Sequence, residues 1–170
     1  MKPPLNKMRI SVDLKTKTLL FIDSDGKEKI STKIVHGDPT RPLLTGTFTG
    51  KEWQVNKTND EFKIPHSQNC WANPYGPYYL KIHDRFGNYT TTGIHGTKGP
   101  TWSPFVSPPE VLEPFLPKKI PNEFLNKTLG SPHTWYHSRG CIRIPNTEIT
   151  KLYNLTKWRG FLNIEIKITN

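Results

Sequence analysis

Both ends of the chain carry the same period-two pattern. Ile10, Val12 and Leu14 alternate with polar residues near the start, and Leu162, Ile164, Ile166 and Ile168 do so at the end. Successive side chains of a strand point to opposite faces, so each run predicts a strand with one buried and one wet face. Further strand patterns lie between them. Leu19 to Ile22 follows a Lys15-Thr16-Lys17 turn, and Lys29 to Val35 follows the turn signal Asp23-Ser24-Asp25-Gly26. Phe48 to Val55, Tyr78 to Ile82 and Tyr89 to Ile94 read the same way, the last two joined by Asp84-Arg85-Phe86-Gly87. One helix is expected after Pro145, with Asn146 or Thr147 as its cap. Ile149, Leu152, Tyr153 and Thr156 would form its inner face, and Gly160 would stop it. The pattern predicts a mostly-β domain with a single helix in the C-terminal half.

A chain of 170 residues is long enough for one real core, so a single domain over 1–170 is expected. Eight Phe, six Tyr and five Trp supply bulky material for a core or a groove. The formal charge of +10 calls for an anionic partner surface. The lysines are scattered, without a dense basic run or a nucleic-acid-binding motif, which argues against nucleic acid. No apolar run reaches the roughly eighteen residues that a membrane helix needs. Met1-Lys2-Pro3-Pro4 is not followed by the apolar core of a secretory signal.

The chemistry concentrates at Ser138-Arg139-Gly140-Cys141-Ile142-Arg143. A thiol attacks well only as thiolate, so a reactive cysteine needs positive potential or exposed N–H groups nearby. Gly140 lets the backbone approach a bound carbonyl, and amides around Gly140 and Cys141 are candidate oxyanion donors. Arg143, two residues on, shares a strand face with Cys141 if the segment is extended. There it would favour the thiolate or bind a substrate carboxylate. The plain alternative is a buried structural cysteine beside a surface arginine. A second stretch, Gly93-Ile94-His95-Gly96-Thr97, exposes an imidazole where a strand gives way to a loop. His36 reads as structural, with metal ligation or substrate contact as its other readings.

Together these two stretches resemble the paired signature of the L,D-transpeptidase catalytic domain family, the YkuD type. Thr45-Gly46-Thr47-Phe48 and Asn73-Pro74-Tyr75-Gly76-Pro77-Tyr78 resemble further segments of that family. The resemblance implies a β-sandwich or barrel-like fold, with Cys141 as the acylated nucleophile and His95 as the general base. Gly140, Arg143, Ser138 and Gly96 are the candidate substrate-binding or oxyanion residues. It implies neither cofactor nor metal. Many relatives have histidine where this chain has Arg139, which alters the local electrostatics without removing a catalytic group. The larger departure is length. A proline- and aromatic-rich insertion, about 97–136, separates the two motifs and holds half of the chain's prolines. It is expected to form a lid or wall at the cleft, with one short helix around Pro121 to Leu125.

The function implied is a cysteine acyltransferase on peptidoglycan stem peptides, forming 3→3 cross-links through a thioester. Water in place of the acceptor amine would make it an L,D-carboxypeptidase. A non-catalytic cell-wall-binding module is the alternative from another class. A zinc hydrolase using His95, His133 or His137 with Cys141 is a third, weakened by the lack of His-x-His or Cys-x-x-Cys spacing. The family works in the bacterial cell envelope, in periplasm or wall, and the protein is expected to be a monomer without a transmembrane segment. Cys70 and Cys141 are expected to stay free thiols, with Cys70 packed and His137 the rival of His95 as base.

Overall fold

The computed structural model describes residues 7–36, 45–58, 63–68, 73–97, 141–158 and 162–170. Eight strands and one helix are formed by them: β1 (Arg9–Asp13), β2 (Thr18–Ile22), β3 (Glu28–Lys33), β4 (Gly46–Val55), β5 (Tyr78–His83), β6 (Tyr89–His95), β7 (Ile142–Arg143), α1 (Asn146–Thr156) and β8 (Ile164–Thr169). The strands make one sheet in the order β3-β2-β1-β8-β4-β5-β6-β7. Two neighbouring pairs, β1 with β8 and β6 with β7, run parallel. A single bridge between Val35 and Arg143 then joins the two ends of the sheet, with N–H to O=C distances of 3.0 and 2.8 Å. The sheet is thus curled almost into a barrel, around one helix. The insertion expected at about 97–136 lies, beyond Thr97, outside the described residues.

The alternating runs at the two chain ends are partners in the middle of this sheet. Ile10 pairs with Ile166 and Val12 with Ile168, in parallel register. Their side chains enter a single apolar cluster with Leu19, Phe21, Ile82, Ile94, Ile142 and Ile144. Burying one such side chain is worth about 1.5–3 kcal/mol, which fixes the register of each strand. A slip by one residue would turn the whole row to water.

The helix lies against this cluster through Ile149 and Leu152, both fully buried. Asn146, Ile149, Leu152 and Thr156 make up its buried face. The expected cap differs. Pro145 occupies the cap position, no side chain caps the helix, and the Pro145 carbonyl accepts from the N–H groups of Glu148 and Ile149 at 3.0 Å. The Asn146 side chain faces inward and is used elsewhere. The helix ends at Thr156, with Lys157 as its last cap residue, ahead of Gly160, which lies outside the described residues. Tyr153 is half-buried and stacks on Tyr78, centroids 4.0 Å apart.

An irregularity between β5 and β6 sets which of their residues stand opposite each other. His83 pairs with Tyr89, but Lys81 pairs with Gly93 and Tyr79 with His95, so the register shifts between them. Thr91, inside the shift, has φ 63°. The Thr90 hydroxyl donates to the Ile82 carbonyl at 2.9 Å and accepts from the Thr92 N–H at 3.2 Å. A side chain therefore replaces a backbone rung, which holds the bulge.

Candidate active site

Register places the site. In paired strands, residues directly opposite each other project to the same face. Tyr79 of β5 is opposite His95 of β6, and His95 is opposite Arg143 of β7. Leu80, Ile94 and Ile142 alternate with them and enter the core. The other face therefore carries Tyr79, His95 and Arg143 in one row, and Cys141 stands two residues before Arg143. Cys141 directly precedes β7, close enough for a thiolate there to act on the Arg143 charge.

Tyr79 joins the row to the thiol. Its Oη lies 3.7 Å from Cys141 Sγ and 2.8 Å from the hydroxyl of Tyr89. Its ring stacks on the His95 imidazole, centroids 5.6 Å apart at 9°. Tyr75 meets both rings edge-on, at 5.6 and 5.4 Å. Burial, then the charge of a Cys141 thiolate, pushes the Tyr79 phenol far above its ordinary range. It therefore keeps its proton, and its hydroxyl stands between the Tyr89 hydroxyl and the Cys141 sulfur.

Gly93 makes this stacking possible. A Cβ at Gly93 would collide with the Tyr79 ring. Gly96 has a different use: a Cβ there would collide with Asn146 Oδ1. That oxygen accepts the Thr97 N–H at 2.7 Å, while Asn146 Nδ2 donates to the Thr97 carbonyl at 3.0 Å. Both residues are buried. The first residue of α1 thus grips the backbone just past His95 by both of its polar groups. Gly76, at φ 69°, packs against the same point.

His95 is 5% exposed. Its Nδ1 lies 2.6 Å from the Gly96 carbonyl, which assigns the proton to Nδ1 and leaves Nε2 as the acceptor. Burial first, then the Arg143 charge, lowers its pKa from 6.5 to about 3, against the opposing pull of the Gly96 carbonyl. The resting imidazole is neutral. Arg143 is not a solvated surface charge: burial lowers its pKa to about 10, and a Cys141 thiolate would oppose that shift.

Lys57, just past β4, completes the site. Its Nζ lies 4.2 Å from the Tyr79 ring centroid and 5.2 Å from that of Tyr75. Buried Asn73 holds it there, donating from Nδ2 to the Lys57 carbonyl at 2.8 Å and to that of Ile64 at 3.0 Å. His36 Nε2 is 3.2 Å from the Leu14 carbonyl, a structural bond between strand ends. Ser138, Gly140, Cys70, His133 and His137 lie outside the described residues. Among the described residues no group of three potential metal ligands is found.

Sequence reasoning missed Tyr79, Lys57, Gly93 and the Asn146 grip. The Asn-Pro-x-Gly segment was the available signal for the floor of the site, since Asn73 and Gly76 both bear on it. Nothing in local sequence marks Lys57.

The curled sheet and this site can be set beside known proteins. The family model of the L,D-transpeptidase catalytic domain matches residues 7–111, more than half of the chain. The chain belongs to the L,D-transpeptidase catalytic domain family. The matched span contains His95 and stops before Cys141, whose place rests on its own motif and on the strand register. A search of curated proteins found no match. Among solved structures, an L,D-transpeptidase from Stackebrandtia nassauensis is similar with TM-score 0.55 at 15% identity, covering 97% of this chain and 56% of that one. A mutant L,D-transpeptidase of Enterococcus faecium is similar with TM-score 0.53 at 19% identity, covering 97% of this chain and 50% of that one. The chain spans about half the length of these relatives. It covers all of the E. faecium catalytic domain alone, acylated by ertapenem, with TM-score 0.51 at 20% identity and 98% of this chain covered. At these identities the likeness speaks for the fold.

Proposed function

We propose that this chain is a cysteine acyltransferase acting on peptidoglycan stem peptides in the bacterial cell envelope. The observation that carries the reading is the row of Tyr79, His95 and Arg143 across β5, β6 and β7, with Cys141 at its end. His95 takes the thiol proton, and the Cys141 sulfur attacks the carbonyl of the third stem residue. The S–C bond forms, the C–N bond to the terminal D-alanine breaks, and His95 returns the proton to the leaving amine. The amine of a second stem then attacks the thioester and restores the thiol, leaving a 3→3 cross-link. With water as acceptor the same site is an L,D-carboxypeptidase.

The electrostatics support this division of labour. A neutral imidazole can accept a proton, and the imidazolium it becomes is stabilised only while a thiolate balances it. The Tyr79 hydroxyl is a donor to that sulfur. The half-buried Arg143 guanidinium favours the thiolate without taking part in proton transfer. Backbone amides at Gly140 and Cys141 are the proposed oxyanion donors. The net charge of +10 suits an anionic wall. Among the described residues no helix is long and apolar enough to cross a membrane.

The test is intact mass after incubation with a carbapenem, followed by product analysis on tetrapeptide stems. One adduct on Cys141 and cross-linked product are expected, both lost in Cys141→Ala. An adduct or turnover that survives Cys141→Ala removes the assignment. Wall binding that is indifferent to Cys141, without any turnover, favours the binding module instead.

A further inference from the structure

Lys57 is a cation held beside Cys141, and no carboxylate among the described residues pairs with it. The ion pairs among the described residues are Lys7–Glu165, Lys29–Asp25 and Lys81–Glu52, and none includes it. It is not a loose surface lysine. Its own carbonyl is fixed by Asn73, which is 1% exposed. The residue before it, Asn56, has φ 51°, donates its N–H to the Pro77 carbonyl at 2.9 Å, and accepts the Ser67 N–H at 3.2 Å. The ammonium lies over the face of Tyr79, whose hydroxyl reaches Cys141 Sγ. Aromatic faces hold a cation in place without cancelling its charge. Half-burial makes the charged state costlier, and a neighbouring thiolate offsets part of that.

A fixed ammonium next to a reacting sulfur, paired with no carboxylate among the described residues, is an anion-binding position. We propose that Lys57 binds the carboxylate of the molecule that acylates or alkylates Cys141. Given the transpeptidase reading, on which this part rests, that carboxylate is the terminal one of the acyl donor, carried by the amino acid that leaves. It lies one residue beyond the scissile carbonyl, so a cation on the Tyr79 side of the sulfur can hold it while the sulfur attacks. Arg143, in β7, is left to the thiolate.

Two small alkylating agents separate this from a general effect on the thiol. Iodoacetate and iodoacetamide both form an S–CH2 bond and expel iodide, but only iodoacetate carries a carboxylate. Their rates at Cys141, mapped by peptide mass on the full chain, are compared in Lys57, Lys57→Met, Lys57→Gln and Lys57→Arg proteins. The iodoacetate-to-iodoacetamide ratio should fall by about fivefold in Lys57→Met and Lys57→Gln, the upper range for a half-exposed ion pair. It should be largely kept in Lys57→Arg. The iodoacetamide rate itself reports an intact site, so a misfolded variant does not pass for a positive result. An unchanged ratio overturns the proposal, as does an equal slowing by both reagents, which would make Lys57 a partner of the thiolate only. The second arm uses tetrapeptide donors with free and amidated termini. Lys57→Met should raise KM for the free acid with little change for the amide. Equal effects on both donors overturn the donor-carboxylate assignment. Absence of any turnover in the unsubstituted protein, with the ratio still shifted, upholds the carboxylate site and removes the transpeptidase reading instead.

Discussion

The phenol of Tyr79 and the imidazole of His95 are stacked in parallel across β5 and β6, with centroids 5.6 Å apart and 9° between their planes. One aromatic ring thereby packs the imidazole while its hydroxyl reaches Cys141 Sγ at 3.7 Å. The link between the two motif residues runs through a side chain from a third strand.

Tyr79→Phe keeps this packing and removes only the hydroxyl. A hydrogen bond to a charged acceptor is worth about 1.5–3 kcal/mol. A 3.7 Å contact to sulfur belongs at the low end, so turnover should fall roughly tenfold. Stability should change little, because Tyr89, left without its partner, is 39% exposed and can bond water. Acylation by a carbapenem should slow in parallel. Full activity in Tyr79→Phe would reduce Tyr79 to packing.

Gly93→Ala tests the stacking from the other side. The new methyl would overlap the Tyr79 ring, which is 1% exposed and has no solvent side to swing into. Overpacking of this kind costs about 1–3 kcal/mol. Combining Gly93→Ala with Tyr79→Ala should cost clearly less than the sum of the two, because the clash disappears with the ring. Additive losses in denaturant unfolding would show that the conflict lies elsewhere.

The strands were legible in the sequence because alternation and turn residues are local signals. Ile10 to Leu14, Tyr78 to Ile82 and Leu162 to Ile168 each declare their faces by themselves. Cys141 and His95 stand out in the sequence through their unusual settings. Tyr79 does not, and the reason is geometric. Counting back from the Asp84–Gly87 turn with His83 opposite Tyr89 would put Tyr79 opposite Gly93. The shift held by the Thr90 side chain and Thr91 moves it opposite His95 instead. A bulge of this kind leaves no periodic trace. Asn146 was misread for a related reason. Its position before an amphipathic run fits a cap, and only the fold reveals that Thr97 competes for the same amide.

Asn146→Ala separates those two roles by size. Losing a helix cap costs about 1 kcal/mol. Losing the grip removes two hydrogen bonds to the Thr97 backbone at a buried position, so a loss of roughly 3 kcal/mol is expected. Because the grip sits just past His95, activity should drop even under conditions where the variant is fully folded. A loss near 1 kcal/mol with normal activity would return Asn146 to the capping role.

The neutral state of His95 has a consequence for stability against pH. Burial, with the Arg143 charge second, lowers its pKa from 6.5 to about 3 in the folded protein. Between those values the unfolded chain binds a proton at His95 that the folded chain does not, so acid favours unfolding there. Stability should rise with pH through this window, by up to about 1.4 kcal/mol per unit for one group, and level off above the unfolded value. The carboxyls of Asp13, Asp25 and Asp84 are also held below their ordinary 3.8, by backbone N–H donors, and act with the same sign at lower pH. Urea unfolding between about pH 4.5 and 6.5, compared between the unsubstituted protein and a His95 variant, therefore isolates this histidine. His95→Gln, which cannot take up a proton in either state, should flatten the slope over that interval by about 2 kcal/mol in all. Parallel slopes for the two proteins would mean that His95 is protonated in the folded state as readily as in the unfolded chain. A neutral base waiting for the thiol proton would then have to be abandoned.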